Sequence, residues 1–172
     1  LPDDDHAWAM QEACEARLAE AGYAQYEISA YAQPGRRCTH NLNYWRFGDY
    51  LGIGAGAHGK LSDAAAGLVR RRWKTRHPRA WMEAAGGAAR IGGDNPVGAD
   101  ALPFEYMLNA LRLIYGVPAA DFAERTGLAP EHIAARLAEA RRRGWLADVA
   151  GHLRTAPLGQ RFLNDAIASF LD

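Results

Sequence analysis

The densest group of chemistry-bearing side chains in this 172-residue chain is His40-Asn41-Leu42-Asn43-Tyr44-Trp45. It places an imidazole, two amides, a phenol and an indole side by side. An imidazole can ligate a metal or a heme iron, and aromatic rings suit the walls of a flat macrocycle. Arg36, Arg37 and Arg46 lie close by and could pair with carboxylates. The same residues could instead form a hydrogen-bonded anchor that pins a long loop to the core. Residue types alone leave both readings open.

A second group is Gly54-Ala55-Gly56-Ala57-His58-Gly59-Lys60-Leu61, which contains G-x-G-x-x-G and falls one residue short of a phosphate-binding G-x-x-x-x-G-K-[ST] loop. Both patterns need a following helix whose N-terminus holds the phosphate. Here the chain runs on through Leu61 to Gly67 into a predicted strand, and Leu61 replaces the hydroxyl that would hold magnesium. A strand end where small residues let a ligand or another backbone approach closely is the better account. There is no nucleophile elbow, no H-E-x-x-H and no cysteine cluster. Cys14 and Cys38 read as free thiols of a reducing compartment, so no catalytic residue and no metal ligand is assigned.

The elements that must position these groups follow from caps and periodicity. Pro2 and Asp3-Asp4-Asp5 open a helix over 4–20, with Ala7, Met10, Cys14 and Leu18 on one face and Gly22 as its C-cap. Tyr23 to Tyr31 alternates and predicts one strand ending at Pro34-Gly35, so that helix, turn and strand make half of an α/β unit. Residues 36–61 have no clear period and read as a long aromatic and glycine-rich connection, of the kind that carries function. Leu68 to Lys74 predicts a strand, Pro78 opens a helix through Ala89, and Ile91 to Ala99 reads as a linker and domain boundary. Helices over 104–116, 118–126 and 130–143, a hairpin over 145–155 and a last helix over 158–170 give a winged-helix order.

Apolar residues make up 49% and charged residues 23%, with a mean hydropathy of −0.30, which excludes a disordered or collagen-like chain. No apolar run is long enough to span a bilayer and no signal peptide opens the chain, so a cytoplasmic protein is expected. Leu1 stands where a start methionine would, with a helix start directly behind it, which suggests a piece of a longer protein. Twenty basic residues balance twenty acidic ones. The winged-helix order invites a DNA-binding reading through Arg141-Arg142-Arg143. Those arginines are better placed against the helix dipole, and residues 104–172 carry eight Arg against eight Asp plus Glu, so no nucleic-acid partner is expected.

Three stretches together resemble a known family: Tyr26-Glu27-Ile28-Ser29-x-Tyr31-Ala32-x-Pro34-Gly35, His40-Asn41-Leu42-Asn43-Tyr44-Trp45, and Gly48-Asp49-Tyr50-Leu51-Gly52-Ile53-Gly54-Ala55-Gly56-Ala57-His58-Gly59. Over essentially its whole length the chain is similar to the C-terminal half of HemW-type heme chaperones. These are radical S-adenosylmethionine proteins similar to oxygen-independent coproporphyrinogen III oxidases. The H-N-x-x-Y-W motif is the most specific part of the likeness, being associated in that family with heme binding.

The resemblance implies heme binding by His40, Asn41, Tyr44 and Trp45. It implies a cofactor or substrate cavity beside Gly52, Gly54, Ala55, Gly56, Ala57 and His58. The implied function is to bind heme and deliver it to an apo-hemoprotein, with an oxidase of porphyrin biosynthesis as the alternative. Peripheral membrane association through the acceptor and a homodimer are compatible with it.

The sequence departs from the family in one respect. The family's C-x-x-x-C-x-x-C motif is absent, so a 4Fe-4S cluster and S-adenosylmethionine are expected only in a full-length protein, and no radical activity is expected of this chain alone. The expected fold is α/β: residues 1–98 as the last strands and helices of an incomplete parallel (TIM-like) barrel, then 99–172 as an α+β winged-helix-like domain.

Overall fold

The structure, a computed structural model, describes residues 2–63 and 66–171. Helix α1 (Asp4–Glu20) begins where Asp3 accepts from the His6 amide at 2.9 Å, and Asp4 and Asp5 meet the positive end of its dipole. It closes at Gly22 (φ +79°), where the Gly22 and Tyr23 amides donate to the Ala19 and Leu18 carbonyls. The expected stripe is on one face and is not buried. Ala7, Met10, Cys14 and Leu18 line an open groove of about 580 Å³ against Ile28, Ser29 and Tyr31.

The single strand expected over 23–31 is instead a hairpin, β1 (Ala24–Glu27) paired antiparallel with β2 (Ala30–Ala32). The turn forms because the Glu27 carboxylate is buried and accepts from both the Ser29 amide (3.0 Å) and the Ser29 hydroxyl (2.9 Å). Alternation along the sequence is blind to that bond. The connection after it holds a helix, α2 (Thr39–Trp45), where an irregular loop was expected.

Next come β3 (His58–Asp63), β4 (Leu68–Lys74) and β5 (Ile91–Pro96), an antiparallel sheet in the order β3-β4-β5. Its register sets His58 opposite Trp73, Lys60 opposite Arg71 and Ser62 opposite Val69, which puts these six on one face. Tyr50 joins the outer edge of β3 through a two-way backbone bridge to Lys60 at 2.9 and 3.0 Å. The expected linker at 91–99 is thus largely strand. Gly-Gly-Asp-Asn-Pro has turn chemistry locally, yet the Trp73 indole fits over Gly93 only because a Cβ there would stand 2.0 Å from the ring. The helix expected to reach Ala89 stops earlier: α3 (Pro78–Glu83) is followed by a separate 3-10 turn at Ala88–Arg90.

The C-terminal part runs α4 (Leu102–Ala110), β6 (Val117–Pro118), α5 (Ala120–Thr126), α6 (Glu131–Arg142), β7 (His152–Leu153), α7 (Pro157–Arg161) and α8 (Leu163–Ala168). The three expected helices are present, α4 starting earlier and ending earlier than expected, α5 starting later, and α6 trimmed at both ends. The expected hairpin is only a Leu146–Thr155 bridge, because β7 pairs with β6, and the expected last helix breaks at Phe162 (φ −114°, ψ 48°). Among the described residues every strand pairing is antiparallel, where parallel barrel strands were expected.

One core serves both halves of the chain. Tyr106 of α4 meets Phe47 and Phe122 edge-on at 5.6 and 5.4 Å, and Met107, Leu111, Ile133, Leu153 and Phe170 complete it. Val69 of β4 belongs to the same cluster. No described helix is long and apolar enough to cross a membrane.

Candidate functional site

Helix α2 carries the H-N-L-N-Y-W residues and has little stability of its own. It is seven residues long, and Cys38 at its N-cap makes no side-chain bond. Its C-terminus is held by a closing turn in which the Phe47 amide donates to the Tyr44 carbonyl (2.9 Å) and the Gly48 amide to the Asn43 carbonyl (2.8 Å). Phe47 therefore occupies the left-handed position, φ +56°, that usually belongs to glycine. For a residue with a Cβ this costs about 1–2 kcal/mol. Burying a Phe ring contributes about 1.5–3 kcal/mol, and Phe47 is 1% exposed against Tyr106, so packing outweighs the strain. Glycine is needed one position later, where a Cβ on Gly48 would stand 2.1 Å from the Asn43 side chain.

The helix divides its residues by face. Leu42 and Trp45 pack on the core, and Asn41 Nδ2 donates to the Tyr26 hydroxyl at 3.2 Å. The Arg112 guanidinium lies over the Trp45 ring at 4.4 Å, and Arg112 Nε donates to Glu27 Oε1 at 2.7 Å. Trp45 Nε1 is buried with no hydrogen-bond partner. These residues act as the anchor. His40 is exposed and Tyr44 half-buried, one turn apart, with ring centroids 4.7 Å apart edge-on. One face of the helix thus anchors it, and the other leaves His40 exposed beside Tyr44. Of the neighbouring arginines, Arg37 lies over the Tyr115 ring at 4.8 Å.

Tyr44 continues onto Tyr50, with ring centroids 4.1 Å apart. The Tyr50 hydroxyl accepts from Arg71 Nη1 at 2.8 Å, and Arg71 Nη2 donates to Glu105 at 2.5 Å. Burial pushes the Tyr50 phenol up, with the Arg71 charge opposing it. Beneath this row, Lys60 is 1% exposed and its Nζ donates to Asp49 Oδ1 (2.8 Å) and Ser62 Oγ (3.1 Å), 4.2 Å from the Phe47 ring centroid. Burial pushes the Lys60 ammonium down more than Asp49 lifts it. Burial also acts to raise the Asp49 carboxyl, but the Lys60 and Ser62 hydrogen bonds together hold it below its ordinary value. The two shifts differ in origin because Lys60 lies fully inside while Asp49 keeps 43% of its side chain in water.

In the glycine segment the close approach is that of the chain's own backbone. A Cβ on Gly52 would stand 2.4 Å from the His58 carbonyl oxygen. The loop is clipped to the end of β4 by Gly56 N donating to Thr75 O (3.0 Å) and Lys74 N donating to Ala57 O (2.9 Å). Beside it, Ala55, Gly56 and His58 line an open cleft of about 800 Å³. Gly59 lies within β3, which runs on to Asp63. His58 lies in register with Trp73, their ring centroids 6.1 Å apart and the planes inclined by 22°.

The residue types do not fit an iron-sulfur cluster. Cys14 and Cys38 are both exposed, and among the described residues no group of three or more His, Cys, Asp or Glu could hold a metal ion. Exposed imidazoles, His40 and His58, and half-buried aromatic rings, Tyr44, Tyr50 and Trp73, border the α2 surface and the cleft.

Sequence reasoning missed Arg71, Lys60 and Arg112 as supports. Alternation on β4 carries a signal for Arg71 and Trp73, whereas Arg112 lies far along the chain from Trp45 and has none.

Residues 98–162 match the HemN C-terminal domain family. The chain is 44% identical over 171 residues to a protein named heme chaperone HemW from Escherichia coli, an alignment covering 99% of this chain and 44% of that one. It is 40% identical to a HemW from Haemophilus influenzae, covering 99% and 43% respectively. The chain thus spans less than half the length of these relatives. The fold also matches a solved structure of the radical SAM enzyme coproporphyrinogen III oxidase (HemN) from Escherichia coli, with a TM-score of 0.66 over 99% of this chain and 42% of that one. At 13% identity that likeness concerns the fold alone, which is mixed α/β. Along nearly its whole length the chain is thus similar, at 44% identity, to less than half of a HemW protein.

Proposed function

We propose that this chain is the heme-handling part of a radical S-adenosylmethionine heme chaperone, which takes up heme at α2 and passes it to an apo-hemoprotein. The observation that carries this reading is the exposed His40 imidazole on α2, backed by Tyr44 of the same helix and by Tyr50 beyond it, while the helix's other face is bolted to the core through Asn41 and Trp45. His40 is the candidate iron ligand, and Tyr44 with Tyr50 forms a wall for the macrocycle. A donor must release its cargo, and a ligand on a short exposed helix suits release better than a closed pocket would.

The segment Gly52, Gly54, Ala55, Gly56, Ala57 and His58 borders the cleft in which S-adenosylmethionine or substrate would sit. When bound with a cluster, that cofactor supplies radical chemistry in the family. What this chain's own residues do there is shape and line the cavity, since the cluster's cysteines are not among them.

In the same reading, residues 1–98 are the last part of the family's barrel and 99–172 its winged-helical domain. The order α4, β6, α5, α6, β7 is consistent with that winged-helical arrangement. The oxidase alternative has in its favour a likeness of fold and the HemN C-terminal domain match over 98–162, against 44% identity to a heme chaperone along nearly the whole chain.

Titration of the protein with heme, followed by its Soret band, tests the reading. Saturable binding that is lost in His40→Ala is expected. Undiminished binding by that variant would remove α2 as the heme site.

A further inference from the structure

We propose that Arg71 is a positioning residue of the heme site: it fixes the Tyr50 ring as the plane on which Tyr44, and through it His40, is aligned. This rests on the reading of α2 as the heme-binding helix and names the residue outside the motif that orients its aromatic wall.

Strand register brings Arg71 to this place. Tyr50 bridges Lys60, and Lys60 lies opposite Arg71, so the three stand in one row across the sheet, on the face that carries Val69 into the core. Lys60 and Arg71 are like charges directly opposed, and each is held by its own carboxylate: Lys60 by Asp49, Arg71 by Glu105 of α4 at 2.5 Å. Alternation sends Arg70 and Arg72 to the other face, where both pair with Asp94. Of the three consecutive arginines, Arg71 is the one that reaches Tyr50, its Nη1 donating to the hydroxyl at 2.8 Å.

The two tyrosines differ in how firmly they are held. Tyr50 is fixed at both ends, its main chain by two hydrogen bonds with Lys60 at 2.9 and 3.0 Å and its hydroxyl by Arg71. The planar guanidinium serves Tyr50 and Glu105 together, which an ammonium could not do with the same geometry. Tyr44 stands on a helix of seven residues without an N-cap side-chain bond, and its ring centroid lies 4.1 Å from that of Tyr50 and 4.7 Å from that of His40. Glu105, Arg71, Tyr50, Tyr44 and His40 therefore form a continuous line from a core helix to the exposed imidazole. With 25% and 27% of its side chains exposed, the Arg71–Glu105 pair contributes little to stability, and its effect is on orientation.

The test titrates heme into the protein and into its Tyr50→Phe, Arg71→Met and doubly substituted variants, reading affinity and the width of the Soret band. Tyr50→Phe keeps the ring and removes only its bond to Arg71, so it reports orientation even where Arg71→Met lowers the urea midpoint. Each single variant should bind heme about fivefold more weakly, with a broadened Soret band, because a ring left free in the unbound protein must be ordered on binding. The double variant should bind no more weakly than either single one, since both changes remove the same bond. Binding by Tyr50→Phe that matches the unaltered protein, or losses that multiply in the double variant, would overturn the proposal while leaving the heme reading intact. Failure of the heme reading shows separately, as no heme binding by the unaltered protein or undiminished binding by His40→Ala, and the positioning role falls with it.

Discussion

Asp49→Ala should destabilise the protein far more than Lys60→Met, although each breaks the same ion pair. The Lys60 side chain is 2% exposed, whereas Asp49 keeps 43%. Removing Asp49 strands an ammonium inside, with only Ser62 Oγ at 3.1 Å and the Phe47 ring at 4.2 Å as company. Breaking a buried pair from one side typically costs about 3–5 kcal/mol. The partial exposure of Asp49 and the remaining Ser62 and Phe47 contacts reduce this to about 2 kcal/mol at neutral pH. Lys60→Met removes the charge that had to be desolvated, fills much of the same space, and leaves a carboxylate that can turn to water. It should stay within about 1 kcal/mol of the parent.

Urea denaturation reads the order directly, and Asp49→Ala/Lys60→Met should resemble Lys60→Met rather than Asp49→Ala. The pH dependence gives a second check. The Asp49 carboxyl is held low in the folded state, so its contribution is present above the ordinary carboxylate range and is lost as pH falls through the lowered value. Asp49→Ala should lack that acid limb. Lys60 is also held low, so the unfolded chain keeps its proton longer as pH rises and stability increases on the alkaline side. Without Asp49 to lift it, Lys60 should lose its proton at lower pH, and the deficit of Asp49→Ala should narrow as pH rises. Equal destabilisation by Lys60→Met and Asp49→Ala would refute the reasoning, because desolvation would then not govern the pair.

Two further outcomes follow from buried polar groups. Arg112→Ala leaves Glu27, 1% exposed, with only the Ser29 amide and hydroxyl, and takes the cation off the Trp45 ring; about 3 kcal/mol should be lost in urea denaturation. Arg112→Lys should recover only part of that, since an ammonium cannot both stack on the indole and fork to the carboxylate. The Tyr106 hydroxyl is buried without a partner, and burial pushes its phenol above the ordinary range. Tyr106→Phe should therefore be neutral or stabilising by up to about 1 kcal/mol in the same assay; a clear loss would reveal a bond the structure does not have.

How much of the site could be read from the chain depends on the range of the interactions behind each part. The composition of the H-N-L-N-Y-W group and its likeness to a family were legible without a fold. Its division into an anchoring and a presenting face was not, because 36–61 lacks periodicity and α2 is too short to announce itself. Gly52 to Gly59 read correctly as a place of close approach, but what approaches Gly52 is the His58 carbonyl, which only the folded loop brings there. Trp73 was visible in an alternating strand; that it lies over Gly93 and under His58 required the register of three strands.

The sequence by itself determined the elements whose free energy is local. For α1 these are the Asp3 cap and the Gly22 terminus; for β4, its alternation; for the ends of α5 and α6, Gly127 and Gly144 in left-handed conformations. Tertiary structure decided what local preference opposes or leaves open. Phe47 holds a backbone conformation suited to glycine because its ring completes the Tyr106 core, Gly-Gly-Asp-Asn-Pro becomes an edge strand because an indole needs the space, and Tyr23 to Tyr31 folds back because Glu27 is drawn inside by Arg112. In each case burying a large ring or pairing a buried charge outweighs the smaller backbone preference that neighbouring residues express.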